Sequence, residues 1–384
     1  MFVCAHFAVF FVSLGINVHL NSFAVRTNRR NFIRTAALSG VGVSLFSGDV
    51  LSRTGHRPIR LAHLTDSDVQ PVQRIGAALG HEAKEGVDFS IENWPHGPME
   101  YHSVVLQQLL QRHDIDAIIV DVLPAQRTAI ALTAMNAGKI TAFTGPVGQT
   151  VETIQSLLET HAKTGTPCLL LDNDHFDRNV LAVNNMVQQK QFGVLTHVAC
   201  GSDSPTKGLG PAMEWVGVNH GNRFVSLNAS ISRSWGLHEP LPTPPSKNEP
   251  IVRNYELGEV LTINVQCANG QTVTISRNIT GKRPHSRGYR VQGSQGLWME
   301  DNDLLSVGDR TYSFAAVRPR FDHPNQPEQS ALARLVTILK TQTIDPNSTR
   351  NALTVSLVYA VAKLSLAARN DELEIPDWFT DSYS

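Results

Sequence analysis

Asp116-Ala117-Ile118-Ile119-Val120-Asp121-Val122 leads through Pro124-Ala125-Gln126-Arg127 to Met135-Asn136-Ala137-Gly138-Lys139, and then to Thr141-Ala142-Phe143. Ala117 to Val122 is a β-branched run that predicts a strand, and Ala125 to Ala137 is an amphipathic stretch that predicts a helix. Gly138 stands just past that helix, where a left-handed terminating residue is wanted, and Thr141 to Phe143 predicts the next strand. This unit repeats outward. Ile59 to Leu64, Cys168 to Leu171 and Leu195 to Ala199 are further strand candidates, while Glu100 to His113, Val151 to Thr164 and Asn179 to Gln191 read as helices, the last two closed by Gly165 and Gly193. From Arg57 to Cys200 the alternation is that of a parallel α/β layer.

After Gly201 the pattern changes. A helix is predicted over Pro211 to Asn219, and then period-two runs over Phe224 to Ser232, Val260 to Ala268, Gln271 to Arg277 and Tyr289 to Gln292 predict an antiparallel sheet. Asn269-Gly270 between two of these runs is a strong hairpin signal. Pro240 to Pro250 reads as a proline-rich loop, and two apolar helices, Leu332 to Lys340 and Ala352 to Ala368, are expected to cover one face of that sheet. Its other face would be free for a ligand or partner. The fold class is therefore α/β: a truncated Rossmann-like parallel sheet domain followed by an α+β domain with a mainly antiparallel open sheet.

At 384 residues the chain exceeds one average domain. We divide it into a leader over 1–56, a Rossmann-like nucleotide-binding domain with an incomplete first strand-helix-strand unit over 57–175, and a sheet domain for substrate binding or oligomerisation over 176–384. Charged residues make up 17% and the net charge is −1, which excludes an electrostatic footprint for nucleic acid or acidic membrane and favours a small neutral ligand. Cys4, Cys168, Cys200 and Cys267 form no CxxC pair and no metal-ligand spacing with histidine. Neither a metal site nor a disulfide framework is expected. Arg29-Arg30-Asn31-Phe32-Ile33-Arg34, followed by the apolar run Thr35 to Phe46, has the layout of a twin-arginine export signal, which predicts a periplasmic location. The earlier apolar stretch Phe2 to Val18 is read either as lying upstream of the true start or as an anchor.

A dinucleotide-binding domain opens with a strand, a glycine-rich turn and a helix, with an acidic residue about 20 positions on for the ribose. Asp66 is the candidate for that acidic residue. Only the ten residues Arg57 to Asp66 are available for a unit that needs about 30, so the phosphate loop is read as missing. Gly40, Gly42 and Gly48 follow the twin-arginine segment rather than a strand, and are assigned to the leader.

Several ordered stretches resemble glycoside hydrolase family 109, a branch of the Gfo/Idh/MocA (glucose-fructose oxidoreductase-like) superfamily. They are Asp116 to Ile119 through Lys139, Thr166-Pro167-Cys168 through Asn173, Phe176-Asp177-Arg178-Asn179 through Val187, Pro205 to Pro211, Asn219 to Phe224, and Arg290 to Gly293 through Met299. The resemblance implies bound NAD and an ancestral glycosidase activity on N-acetylated amino sugars, in which NAD oxidises the sugar at C3, acidifies C2 and permits elimination of the leaving group. It also implies Asp66 for the ribose, Asn173 for the nicotinamide end, Lys207 as the catalytic acid/base, and Lys207, His285 and Tyr289 facing the sugar.

This chain departs from the family at several of those positions. Lys207 and Ser204 stand for a histidine and a tyrosine, Phe176 for another tyrosine, and Pro124-Ala125-Gln126-Arg127 for an aromatic and histidine cluster. Thr144-Gly145-Pro146 stands where the family has Glu-Val-Pro and the superfamily a lysine. The insert ahead of Pro205 is shortened to a few residues. Other readings of the residues stay open: Asp66 as cap of a helix starting near Asp68, Asn173 as a turn residue, Lys207 as a surface charge, and Arg283, His285 and Arg287 as an exposed sheet edge. His175 reads as a solvated loop residue, because nothing in the sequence orients it. The expected function is that of a family 109-like protein with hydrolysis weak or absent. The alternatives are a non-catalytic sugar-binding or assembly protein, with a homo-oligomer through the C-terminal sheet, and an NAD(P)-dependent sugar oxidoreductase. The expected partner is a small-molecule sugar.

Overall fold

Residues 117–120, Ala-Ile-Ile-Val, divide alternately between two apolar layers, as side chains on a strand must. Ile118 and Val120 join the larger core with Ala62 and Leu64, whereas Ala117 and Ile119 join a smaller one with Leu61, Ala142 and Leu169. A strand apolar on both faces belongs to a parallel sheet covered on both sides. The computed structural model describes residues 58–65, 87–93, 99–202, 208–233, 258–278, 286–322 and 330–378, all within one unit, Gly55–Ser384. The leader with its arginine pair, and the proline-rich loop, lie outside the described residues.

The first sheet holds β1 (Ile59–Thr65), β2 (Val87–Asn93), β3 (Ala117–Asp121), β4 (Ile140–Phe143) and β5 (Cys168–Leu170) in the order β2-β1-β3-β4-β5, all parallel. Helices α1 (Met99–Gln111), α2 (Pro124–Asn136) and α3 (Val151–Thr164) connect them. Gly138 and Gly165 carry φ of +71° and +68°, the left-handed stops read from the sequence. β2 is absent from the sequence reading. With β2 in place, β1 stands between β2 and β3, so in a doubly wound order the diphosphate turn would follow β1 rather than precede it. Asp66 would open that turn instead of ending the ribose strand. Asp66 itself, with residues 67–86, lies outside the described residues.

A short 3-10 turn (Asn173–Phe176) and helix α4 (Arg178–Gln188) lead to β6 (Leu195–Ser202). The sequence reading placed Leu195 to Ala199 in the parallel layer; the structure puts β6 in the middle of the second sheet, antiparallel to β10 (Arg290–Gly293) and parallel to β9 (Thr272–Asn278). A short apolar run after a helix has the same periodicity in either sheet, so pattern alone does not assign it. The second sheet has nine strands in the order β13-β12-β11-β10-β6-β9-β8-β7-β14. Its remaining members are β7 (Phe224–Ile231), β8 (Val260–Cys267), β11 (Gly296–Met299), β12 (Leu304–Val307), β13 (Arg310–Ser313) and β14 (Leu373–Glu374). β8 and β9 form the expected hairpin, with Gly270 at φ +87° in its turn.

Helix α5 (Leu209–Trp215) is shorter than the predicted Pro211 to Asn219, because Gly217 and Asn219 at φ +76° and +63° turn the chain out of helix. After the short helix α6 (Phe314–Val317), the chain returns to the first sheet. Leu332, Leu335 and Val336 of α7 (Ala331–Thr341), spaced for one helical face, pack on Leu61, Ala117 and Ile119. The expectation that both C-terminal helices cover the second sheet is corrected for α7. Helix α8 (Ser348–Ala367) is buried along both sides and packs on β7, β5 and α3. Two of its serines hydrogen-bond outward: the Val147 N–H donates to Ser356 Oγ (2.9 Å), and the Ala229 N–H in β7 donates to Ser365 Oγ (2.9 Å).

Candidate functional site

In a parallel sheet the ligand edge is the carboxyl end of the strands. At that edge Thr65 of β1 is in register with Asp121 of β3. Asp121 accepts a hydrogen bond from Thr144 Oγ1 (2.7 Å), and its other oxygen lies 3.9 Å from Nε2 of His63, whose buried Nδ1 has no partner among the described residues. Burial lowers the His63 pKa more than the Asp121 charge raises it, so the imidazole is neutral beside that carboxylate. Next along the edge Arg127 is buried, donating from Nε to the Val122 carbonyl (2.9 Å) and from Nη1 to the Pro146 carbonyl (3.4 Å). A Cβ at Gly145 would sit 2.1 Å from Arg127 Nη1, so the guanidinium fills the space that a side chain at position 145 would take.

Beside β5 lies a cavity of about 440 Å³, lined by residues of β5, the 3-10 turn, α4, α5, α7 and α8. Its polar wall is built at the end of β5. Asp172 caps the 3-10 turn, its Oδ1 accepting from the Asp174 N–H (3.0 Å). Its Oδ2 has no hydrogen-bond partner among the described residues, although the side chain is only 6% exposed. Three residues on, His175 directs Nε2 to within 3.7 Å of that Oδ2 and binds Oε2 of Glu214 through Nδ1 (3.0 Å). Asn184 of α4 holds the other Glu214 oxygen (2.8 Å). Burial pushes the Asp172 carboxyl up to about 6. Burial alone would lower His175, but the Glu214 hydrogen bond and the Asp172 and Glu214 charges outweigh it and raise the pKa. Burial would raise Glu214; the hydrogen bonds from His175 and Asn184 overcome it and hold it below the usual carboxylate range. Gly210 of α5 permits this convergence: a Cβ there would lie 2.2 Å from Asp172 Oδ2 and 2.5 Å from His175 Nε2.

Of the site residues read from sequence, Asn173 and Tyr289 are among the described residues. Asn173 accepts the Ala331 N–H at the start of α7 (2.9 Å), so its oxygen is used in joining the turn to that helix. Tyr289 does not face the cavity: it is 2% exposed, set edge-on to Trp215 and stacked on Trp298 in the core. It stands just before β10, and its packing against Trp215 and Trp298 places it in the core. Arg287 is no exposed edge charge, for its Nε binds Asp174 (3.1 Å), which also accepts the Gly208 N–H (2.7 Å). Lys207, His285 and Asp66 lie outside the described residues. His175, read as a solvated loop residue, is oriented by its Nδ1 bond to Glu214. Asp172 and Glu214 went unnoticed; the signal was a lone Glu214 within the otherwise uncharged Leu209-Gly-Pro-Ala-Met-Glu-Trp215, and a carboxylate at the end of a parallel strand.

Comparison with known proteins agrees with this architecture. Residues 201–384 match the glycosyl hydrolase 109, C-terminal domain. A glycosyl hydrolase family 109 protein of Stenotrophomonas maltophilia is 26% identical over 81% of this chain and 82% of its own length. An alpha-N-acetylgalactosaminidase of Tannerella forsythia is 27% identical over 52% of this chain, which spans about half (53%) of that relative. Among solved structures, levoglucosan dehydrogenase in complex with NADH and L-sorbose superposes with a TM-score of 0.58 at 13% identity, covering 84% of this chain and 100% of that one. An inositol dehydrogenase homolog of Azotobacter vinelandii, complexed with NADH and myo-inositol, gives 0.55 at 13% identity over 83% of this chain and 98% of its own. The chain is therefore similar to glycosyl hydrolase family 109 proteins, its residues 201–384 matching that family's C-terminal domain, and it shares the fold of the NADH-complexed dehydrogenases.

Proposed function

We propose that this chain binds an amino sugar or its glycoside in the cavity beside β5, and that it does not run the NAD-dependent cycle of its relatives. The observation that carries the proposal is electrostatic. The crevice edge presents the Asp121 carboxylate, which the neutral His63 leaves uncompensated. The chain then continues from Thr65 as Asp66-Ser67-Asp68-Val69-Gln70-Pro71, with no glycine before Gly76. A diphosphate is met by a glycine-rich turn of close backbone N–H groups and by positive potential; the sequence after β1 lacks the early glycines, and the Arg127 guanidinium at this edge is engaged by the Val122 and Pro146 carbonyls. The residues do not fit the dinucleotide, and no chemical step is derived through it. The cavity, by contrast, has the size of a monosaccharide site and the mix of apolar wall and few convergent polar groups that such sites use. The Arg29-Arg30 segment supports export of the folded protein to the periplasm.

The test is mass spectrometry of the purified protein for retained NAD, together with calorimetry against N-acetylgalactosamine. Heat with the sugar and no nicotinamide is expected; stoichiometric NAD would overturn the proposal. A second reading, residual glycosidase activity, is favoured by Asp172, since a carboxyl near 6 is suited to general acid work. Release of the aryl alcohol from an aryl α-N-acetylgalactosaminide above blank would decide for it.

A further inference from the structure

Gly210, Asp172 and His175 enclose a gap with a particular chemistry. Oδ2 of Asp172 and Nε2 of His175 stand 3.7 Å apart, beyond hydrogen-bond range, both close beside Gly210, and all three residues line the cavity. A buried carboxyl oxygen with no partner costs free energy, so its retention points to a ligand atom that completes it. We propose that this gap is a clamp for one hydroxyl of a neutral polyhydroxylated ligand, the hydroxyl bridging Asp172 Oδ2 and His175 Nε2. The assignment rests on the sugar-binding reading above and names the atoms that would do the binding.

The proton inventory supports it. Nδ1 of His175 is committed to Glu214, so the pair Asp172–His175 shares one further proton. Whichever atom holds that proton, one donor and one acceptor face the gap, which matches a hydroxyl that accepts once and donates once. When the proton leaves, two acceptors face a single hydroxyl hydrogen and one bond is lost. Burial and the neighbouring charges keep the proton on the pair: Asp172 is pushed up to about 6 and His175 is raised. The other charged groups around it are Asp174 in the same turn with its partner Arg287, Glu214 on α5 and Arg334 on α7, with His220 and Asp345 farther along the cavity.

The experiment is calorimetry with N-acetylgalactosamine on the intact protein at pH 6.5 and 9, for the wild type, Asp172→Ala and Gly210→Ala, with thermal melts to confirm folding. Binding by the wild type should weaken by on the order of tenfold at the higher pH, and each variant should lose about tenfold to a hundredfold, the worth of one charge-assisted hydrogen bond. The wild-type pH arm needs no variant, so a variant that fails to fold leaves the assignment testable. Sugar binding that is indifferent to pH and to both substitutions overturns the clamp and leaves the sugar-binding reading standing. No sugar binding by the wild type at either pH overturns that reading and the clamp with it.

Discussion

Arg127 places its guanidinium where a side chain at residue 145 would project: a Cβ on Gly145 would come within 2.1 Å of Nη1. The two positions are coupled through space although they sit on α2 and the turn after β4. Gly145→Ala should cost about 1–3 kcal/mol, because Arg127 must leave the Val122 and Pro146 carbonyls or strain to keep them. In the double variant Arg127→Ala, Gly145→Ala the costs should sum to less than the two singles, which denaturant melts of the four proteins would read as a coupling energy.

Asp172 links stability to pH. Its folded pKa of about 6 lies above the ordinary 3.8, so the folded state prefers the protonated form; the stability this confers is full below pH 3.8 and is lost as the pH rises through about 6. The difference amounts to about 3 kcal/mol by the usual conversion. Asp172→Asn should therefore raise the melting temperature by a few degrees at pH 7.5 and leave it nearly unchanged at pH 4, as calorimetric scans at the two values would show. A rise of equal size at both would contradict the burial origin.

How far the sequence foretold this molecule can be judged from the same residues. Ile118, Ile119 and Val120 announced a strand of a parallel layer, and Gly138 and Gly165 announced helix ends, because periodicity and left-handed stops are local properties. β2 was illegible: Val87-Asp88-Phe89-Ser90-Ile91-Glu92-Asn93 mixes charge into an edge strand that is held by its neighbour rather than by its own pattern. The site was harder still. Glu214 meets His175 across 39 residues, and only the packing of α5 against the 3-10 turn joins them.

The buried N–H of Val147 depends on one hydroxyl. Ser356→Ala removes the acceptor and leaves that donor without a partner in the core, at about 1–3 kcal/mol. Ser356→Cys, with a weak acceptor of similar size, should recover only part. Urea midpoints measured at constant m-value would check both.

Asp174 offers a different test. It is buried, and its carboxylate is met by Arg287 and by the Gly208 N–H. Arg287→Ala should cost about 1.5–3 kcal/mol, since a charge-assisted bond to a buried carboxylate is lost. The paired change Asp174→Asn, Arg287→Ala should be milder than Arg287→Ala alone, which chemical denaturation would resolve.

Helix α8 reaches Val147 beside one sheet with Ser356 and Ala229 in the other with Ser365, less than three turns apart on a single rod. Heat cannot loosen either half while the rod stays ordered, and the rod has no stable existence once either half is gone. Calorimetry should find one endotherm for residues 58–378, with no plateau between two, so the protein's two architectural halves share one fate.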